Sequence, residues 1–259
     1  MEQRIHAALS EIEASEDVVI LYSNESGSRA WGIESVDSDY DVRFLYLRRP
    51  SWYLSVDLFK KPDVIELPIV DELDITGWDL RKALWLFRKS NPPLNEWLGS
   101  PIVYRENRPT ASRLRALRDT YYSPSACAYH YLHMAKGNFR EYLKGEEIRH
   151  KKYFYVLRPL LAIRWIEAEY GVVPTEFRHL VESILPSGEL RRAIDELIAR
   201  KLVGEELDLG PRIPVISDFI EKELVRHENA RFKKTPVLHS FGPLNELFRQ
   251  ELTEVYGDT

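Results

Sequence analysis

The sequence predicts an α+β protein in two parts, an N-terminal mixed α/β domain over residues 1–107 and an all-helical C-terminal domain over 108–259. Two observations carry this. Up to about residue 105, short β-branched and aromatic runs bounded by polar or Pro-containing turns alternate with amphipathic stretches, whereas from about 111 onward apolar residues recur almost only at helical spacing. Between them, Arg105-Glu106-Asn107-Arg108-Pro109 is polar and ends in proline, a composition suited to a boundary.

Each element has a local cause. Ile5, Ala8, Leu9 and Ile12 share one face of a helix over residues 1–15. Val18-Val19-Ile20-Leu21-Tyr22 reads as a strand that stops at the polar cluster Ser23 to Ser28, and Val42 to Leu47 continues a second strand over 40–47. Strands follow over 64–70 and 72–76. The spacing of Leu80, Ala83, Leu84 and Phe87 predicts a helix over 79–90, with Asp79 at its N-terminus and Ser90-Asn91-Pro92-Pro93 as its stop, because proline lacks an N–H and disfavours helix before it. In the C-terminal half, helices are expected near 111–119, 124–136, 138–144, 150–170, 175–183, 187–203, 214–228 and 242–255.

Composition narrows the function classes. A 44% hydrophobic content supplies cores for one large or two modest domains, and the net charge of −5 restricts any nucleic-acid contact to a local patch. The single cysteine, Cys127, forms no intramolecular disulfide and reads as a buried structural thiol of a reducing compartment. The N-terminus is polar and acidic, without a signal-peptide pattern. The greasiest run, Tyr153 to Ile166, is interrupted by Arg158, Pro159 and Arg164 and falls short of the ~20 residues that span a bilayer. A cytoplasmic protein with no membrane partner is the expectation.

The chemistry concentrates near the start. Gly27-Ser28 is followed by Asp39-Tyr40-Asp41 at the entrance of the second strand. Residues i and i+2 of a strand point to one face, about 7 Å apart from a rise of roughly 3.3 Å per residue, so Asp39 and Asp41 can share a metal site. Mg²⁺ takes hard oxygen ligands and usually only one or two carboxylates, keeping its other positions for water and substrate phosphate. Glycine lets the backbone approach a ligand, and backbone N–H groups beside a serine hydroxyl make a phosphate cradle. Alone, Asp39-Tyr40-Asp41 reads as an acidic turn entering a strand. The Gly-Ser turn shifts the reading toward phosphate chemistry.

With Gly27-Ser28-Arg29-Ala30-Trp31-Gly32 and Ser38-Asp39-Tyr40-Asp41-Val42, the chain resembles the DNA polymerase beta superfamily of nucleotidyltransferases. The texture of Gly77 to Leu84, Asn91-Pro92 with Glu96-Trp97, Ser100 to Tyr104, and Lys151-Lys152-Tyr153 with Leu157-Arg158-Pro159 is similar to its predicted bacterial and phage RNA-repair-pathway branch. The resemblance covers most of the chain, and its first motif is the one specific to chemistry. It implies a nucleotidyltransferase-like N-terminal domain, with the helical domain closing a cleft. It also implies a nucleoside triphosphate held at Gly27 and Ser28, and Mg²⁺ or Mn²⁺ held by Asp39, Asp41 and a third carboxylate on a later strand. Asp74 leads for that third place, because Leu73 and Ile75 flank it with apolar residues facing the other side; Asp71 is second, and Glu72 is also within the segment.

Other candidates are weighed singly. Arg29 adjoins the phosphate turn, and Lys82 follows the third-acid strand; each reads equally as a nucleotide contact or a surface cation. Residues 136–164 are basic with aromatic residues interleaved, which suits phosphate and base contacts, and Lys152 then Arg158 lead that set; long basic stems also commonly cover apolar helix surface. His130 and His133 lie three apart on a helix with no further ligand nearby, and read as packing or surface residues. Trp31 and Trp78 read as packing around the site. The function expected is transfer of an NMP to an acceptor hydroxyl with release of pyrophosphate, the acceptor being an RNA end, a protein or a small molecule. The alternatives are a metal-dependent phosphoesterase and a non-catalytic nucleotide- or partner-binding module. Base preference, polymerisation and oligomeric state are left open by the sequence.

Overall fold

The structure, a computed structural model, describes residues 1–204, 207, 209–232 and 240–257. The chain divides into two compact units: the first gathers Met1–Gly27, Asp39–Tyr122 and the C-terminal helix, and the second gathers Ser28–Ser38 with the helical stretch that begins at Ser123. The division therefore falls beyond the 107/108 boundary read from composition, and it takes the last helix back to the first unit. Burial explains both. Ala111, Leu114 and Tyr121 of helix α6 (Thr110–Tyr121) and Leu244 and Leu247 of helix α12 (Gly242–Tyr256) are buried in one cluster with Leu21, Leu45 and Leu47 of the sheet.

The first unit is built on a five-stranded sheet of order β3-β4-β2-β1-β5, formed by β1 (Val18–Glu25), β2 (Tyr40–Arg48), β3 (Val64–Glu66), β4 (Leu73–Asp79) and β5 (Val103–Arg105). The β2–β4 pair is parallel and the others are antiparallel. Strand alternation gives the sheet two apolar faces: Val42, Phe44 and Tyr46 pack with Ile5, Leu9 and Ile12 of helix α1 (Glu2–Glu16), while Leu45 and Leu47 pack with helices α4 (Leu80–Arg88) and α5 (Pro92–Leu98). Gly77 lies opposite Phe44 in the register, where an added Cβ would come within 2.2 Å of that ring.

Several local expectations change under tertiary pairing. Strand β1 runs on through Ser23, Asn24 and Glu25, all fully buried, because it is paired on both sides by β2 and β5. The Gly-Ser turn that follows opens the short helix α2 (Gly27–Ala30). Strand β3 ends at Glu66 rather than 70. Asn91-Pro92, read as a stop, also starts α5: the Asn91 side chain accepts from the Leu94 amide at 3.1 Å and Pro92 fills the first helical turn, where its missing N–H costs nothing. A further short helix, α3, spans Pro50–Tyr53.

Among the described residues of the second unit, regular structure is helical apart from a two-stranded ribbon of β6 (Glu147–Arg149) and β7 (Leu209–Pro211). Its helices are α7 (Pro124–Tyr142), α8 (Lys152–Glu167), α9 (Phe177–Ile184), α10 (Glu189–Leu202) and α11 (Pro214–Arg226). The two helices expected over 124–136 and 138–144 are one, α7, uninterrupted by Gly137. Pro159 sits inside α8 without ending it. The Tyr155 carbonyl, which proline deprives of its helical donor, accepts instead from the Asn138 side chain of α7 at 3.2 Å. Cys127 is buried on α7, as expected. Among the described residues no helix is long and apolar enough to cross a membrane.

Candidate active site

The parallel register of β2 and β4 sets Asp41 directly beside Asp74. Between their carboxylates lies a cation. Arg43, two residues beyond Asp41 on the same strand face, donates from Nη2 to Asp41 Oδ1 and to Asp74 Oδ2, both at 2.9 Å. Its Nη1 donates to the Val42 and Asp74 carbonyls, each at 3.1 Å. Side-chain exposures of 17%, 27% and 25% for Arg43, Asp41 and Asp74 place the group at the rim of the core, where charges feel one another more than in water. Burial pushes the Asp41 carboxyl above its ordinary range, the Arg43 guanidinium pulls it back, and the neighbouring negative charges of Asp74 and Asp39 push it up again.

The turn and the acid strand meet at one point. Gly27 has a left-handed φ of +58°, and a Cβ there would sit 2.0 Å from Asp41 Oδ2, so only glycine fits against this carboxylate. The backbone ties are reciprocal: the Ser26 amide donates to the Asp41 carbonyl at 2.8 Å, and the Asp41 amide donates to Glu25 Oε1 at 2.7 Å. Glu25 is itself fully buried, its other carboxylate oxygen taking the Tyr104 hydroxyl and its carbonyl taking the Ser100 hydroxyl at 2.7 Å. This places a buried acid behind Asp41 that fixes where the strand begins.

Asp39 is exposed and lies just ahead of β2 rather than on its ladder. Asp71 is exposed, has a left-handed φ of +47° and meets Arg4 at 3.3 Å, so it stands in the turn before β4 while Asp74 stands on the strand. Among the described residues no group of three or more His, Cys, Asp or Glu side chains is arranged to hold a metal ion. What is assembled is a carboxylate pair with an arginine in it.

The cations are dispersed. Lys82 pairs with Asp63 at 2.8 Å on α4, beyond the opposite end of β4 from Asp74. Arg29 turns its guanidinium to the Ser38 carbonyl at 2.7 Å, closing the 28–38 segment on itself. Arg158, only 1% exposed, donates to the Thr175 carbonyl at 3.2 Å and lies 4.7 Å from the Trp31 ring centre, so it serves the interior of the second unit and cannot present a phosphate contact at its surface. Lys152 is half-buried between aromatic rings, its Nζ 4.0 Å from the Tyr142 ring centre and 4.9 Å from that of Tyr155; burial lowers its pKa, as does Lys151 beside it. Of the two tryptophans, Trp78 stacks on Trp97 at 4.0 Å in the core, as packing requires.

Two groups escaped the sequence reading. Arg43 was within reach of it, since a strand places Asp41 and Arg43 on one face. Lys201 of α10 was not: its Nζ donates to the hydroxyls of Ser35 and Ser38, both at 3.4 Å, and burial then Lys151 lower its pKa against the opposing pull of Asp37. That meeting joins residues far apart in the chain.

Known proteins resemble this chain at three levels. Over all 259 residues the chain is 49% identical to a Bacillus subtilis (strain 168) protein, Uncharacterized protein YcgL, covering 99% of it. A nucleotidyltransferase-like protein from Exiguobacterium sibiricum is similar at 12% identity, with 99% of this chain and 90% of that one covered and a TM-score of 0.28. The description of RlaP, the RNA repair pathway DNA polymerase beta family, matches residues 1–250. The chain belongs to that family, within the polymerase beta type of nucleotidyltransferase superfamily.

Proposed function

We propose that this protein is a divalent-metal-dependent nucleotidyltransferase that moves an NMP from a nucleoside triphosphate to an acceptor hydroxyl and releases pyrophosphate. The observation that carries the reading is the convergence of Gly27 with Asp41 and, through the β2–β4 register, with Asp74. A glycine pressed onto a carboxylate is what a site needs where phosphate, backbone and acid meet within a few ångströms.

In this reading Gly27 and Ser28 receive the triphosphate through backbone amides and the Ser28 hydroxyl. Asp41 and Asp74, with exposed Asp39 at the edge, would hold Mg²⁺ or Mn²⁺; their hard oxygen donors suit either ion, and two carboxylates are the usual protein share for Mg²⁺. When bound, the ion supplies neutralisation of phosphate charge. The acceptor oxygen forms its bond to the α-phosphorus as the bond to the β-phosphate oxygen breaks; pyrophosphate leaves, and the acceptor proton passes to Asp74. Buried Glu25 holds the Asp41 backbone in place for this. Lys152 is kept as a proposed nucleotide contact, its ammonium set against the rings of Tyr142 and Tyr155. The family's description supports an RNA end as the acceptor.

The deciding experiment incubates purified protein with each labelled NTP, Mg²⁺ or Mn²⁺, and RNA, DNA or protein acceptors, beside the Asp39→Ala/Asp41→Ala double variant. Transfer to RNA by the wild type and none by the variant is expected. Label that still moves in the variant overturns the mechanism, and transfer only to protein moves the acceptor away from RNA.

A further inference from the structure

The Asp41–Asp74 pair carries its own cation, and that bears on how the site takes a metal. A strand partner could have been any polar residue, yet Arg43 is held by four hydrogen bonds, two to the carboxylates and two to backbone carbonyls. The same nitrogen, Nη2, bridges both acids at 2.9 Å, on the carboxylate oxygens that would hold a divalent ion. Planar and permanently charged, a guanidinium satisfies this geometry with its fork of donors in a way a lysine ammonium cannot.

Two jobs are possible for such an arginine, and they differ in sign. As scaffolding alone, it would keep two like charges from splaying apart, so removing it would disorder the carboxylates and weaken metal binding. As a competitor, it engages one oxygen of each acid and adds a positive charge beside any arriving cation, so removing it would tighten metal binding. The geometry favours the second. The parallel ladder continues on both sides of the pair, Tyr40 with Leu73 and Val42 with Ile75, so backbone register already holds the acids together. Asp41 is fixed further by Glu25 and Ser26.

We infer that Arg43 is the resident cation of the Asp41–Asp74 pair and competes with the divalent ion for the same oxygens, so that metal entry requires the guanidinium to give up at least one carboxylate. Resting on the nucleotidyl-transfer reading for the identity of the metal site, this makes Arg43 a positioning residue. Its action is to set the metal affinity. A site built this way binds free divalent ions weakly. It fills when the metal arrives with a polyphosphate, whose negative charge offers the displaced guanidinium a new partner.

The test measures Mn²⁺ binding to the full-length protein by electron paramagnetic resonance and calorimetry, without nucleotide, in the wild type, Arg43→Gln and Arg43→Lys. Removing a unit charge a few ångströms from a divalent ion should tighten binding by at least about tenfold in Arg43→Gln. Arg43→Lys, which keeps the charge but loses the bridging fork, should fall between the two and remains informative if the glutamine variant does not fold. Mn²⁺ affinity unchanged or weaker in both variants overturns the inference, as does the lack of any Mn²⁺ binding in all three proteins. The two readings separate cleanly: tighter Mn²⁺ binding with no label transfer by the wild type removes the proposed reaction alone, and label transfer by the wild type with unaltered Mn²⁺ affinity in the variants removes the role of Arg43 alone.

Discussion

The two ends of the β2–β4 pair set the same residue type in opposite circumstances. At one end Asp74 stands beside Asp41, a quarter exposed, its charge met by the side chain of Arg43. At the other end Asp79 stands opposite Tyr46 and is 2% exposed, its oxygens taken by the Tyr53 hydroxyl and the Arg81 amide, both at 2.8 Å. Asp79 is spent on architecture. It caps α4 and anchors Tyr53, whose hydroxyl also accepts the Arg48 amide at 2.9 Å. What separates a candidate catalytic acid from a structural one here is the kind of partner: donors fixed in the fold close Asp79, whereas a charged side chain at the rim leaves Asp41 and Asp74 open to exchange.

The sharpest way to break this comparison is to remove each acid in turn. Asp41→Ala should lower nucleotidyl transfer by about 10³-fold, about 4 kcal/mol in barrier, while thermal melting stays close to that of the wild type. Asp79→Ala should do the reverse. Losing the cap costs about 1 kcal/mol and leaving the Tyr53 hydroxyl without its acceptor about 1–3 more, so chemical denaturation should show about 2–4 kcal/mol of destabilisation with the activity of the folded fraction retained. If the two variants behave alike, the distinction fails.

Gly27→Ala sharpens the contrast from the glycine side. The left-handed backbone alone should cost about 1–2 kcal/mol, and because the new Cβ meets Asp41 Oδ2, transfer should fall with it. A melt lowered without any loss of transfer would detach the turn from the acid.

The smallest expected effect is in pH. Burial holds the Asp79 carboxyl above its ordinary 3.8, against the pull of its Tyr53 and Arg81 hydrogen bonds. A raised folded-state value means that the native protein binds the proton more tightly than the unfolded chain. Its contribution is therefore fully present below the unfolded value and is lost as pH rises through the folded one. Compared with Asp79→Asn, which does not titrate, the wild type should gain stability as pH falls through that window and level off below about 3.8. Paired denaturation curves at neutral and acidic pH read this difference, and a difference independent of pH would show that Asp79 does not titrate there.

Much of the fold was legible because its signals are local. The apolar spacing of α1 and α4, the alternation in β2 and β4, and the composition around Gly27-Ser28 and Asp39-Tyr40-Asp41 are all properties of short windows. Asp74 was legible for the same reason: the alternating burial of β4 follows from Leu73 and Ile75 beside it. Less legible were residues whose role depends on a distant partner. Ser23, Asn24 and Glu25 look like a turn, and they are buried strand only because β2 and β5 flank them. Arg158 looks like a phosphate-binding cation, and it is interior because Thr175 and Trp31 enclose it.

By itself, then, the sequence determined the strongly periodic strands and helices, the glycine and acids of one motif, and the family to which these motifs point, since each is written in neighbouring residues. The tertiary structure alone decided which acids meet, that α12 returns to the first unit, and that Arg43 sits between two carboxylates. The physical reason is register. A parallel ladder joins positions separated by more than thirty residues, and only when β2 and β4 pair do the charges of Asp41 and Asp74 share one guanidinium.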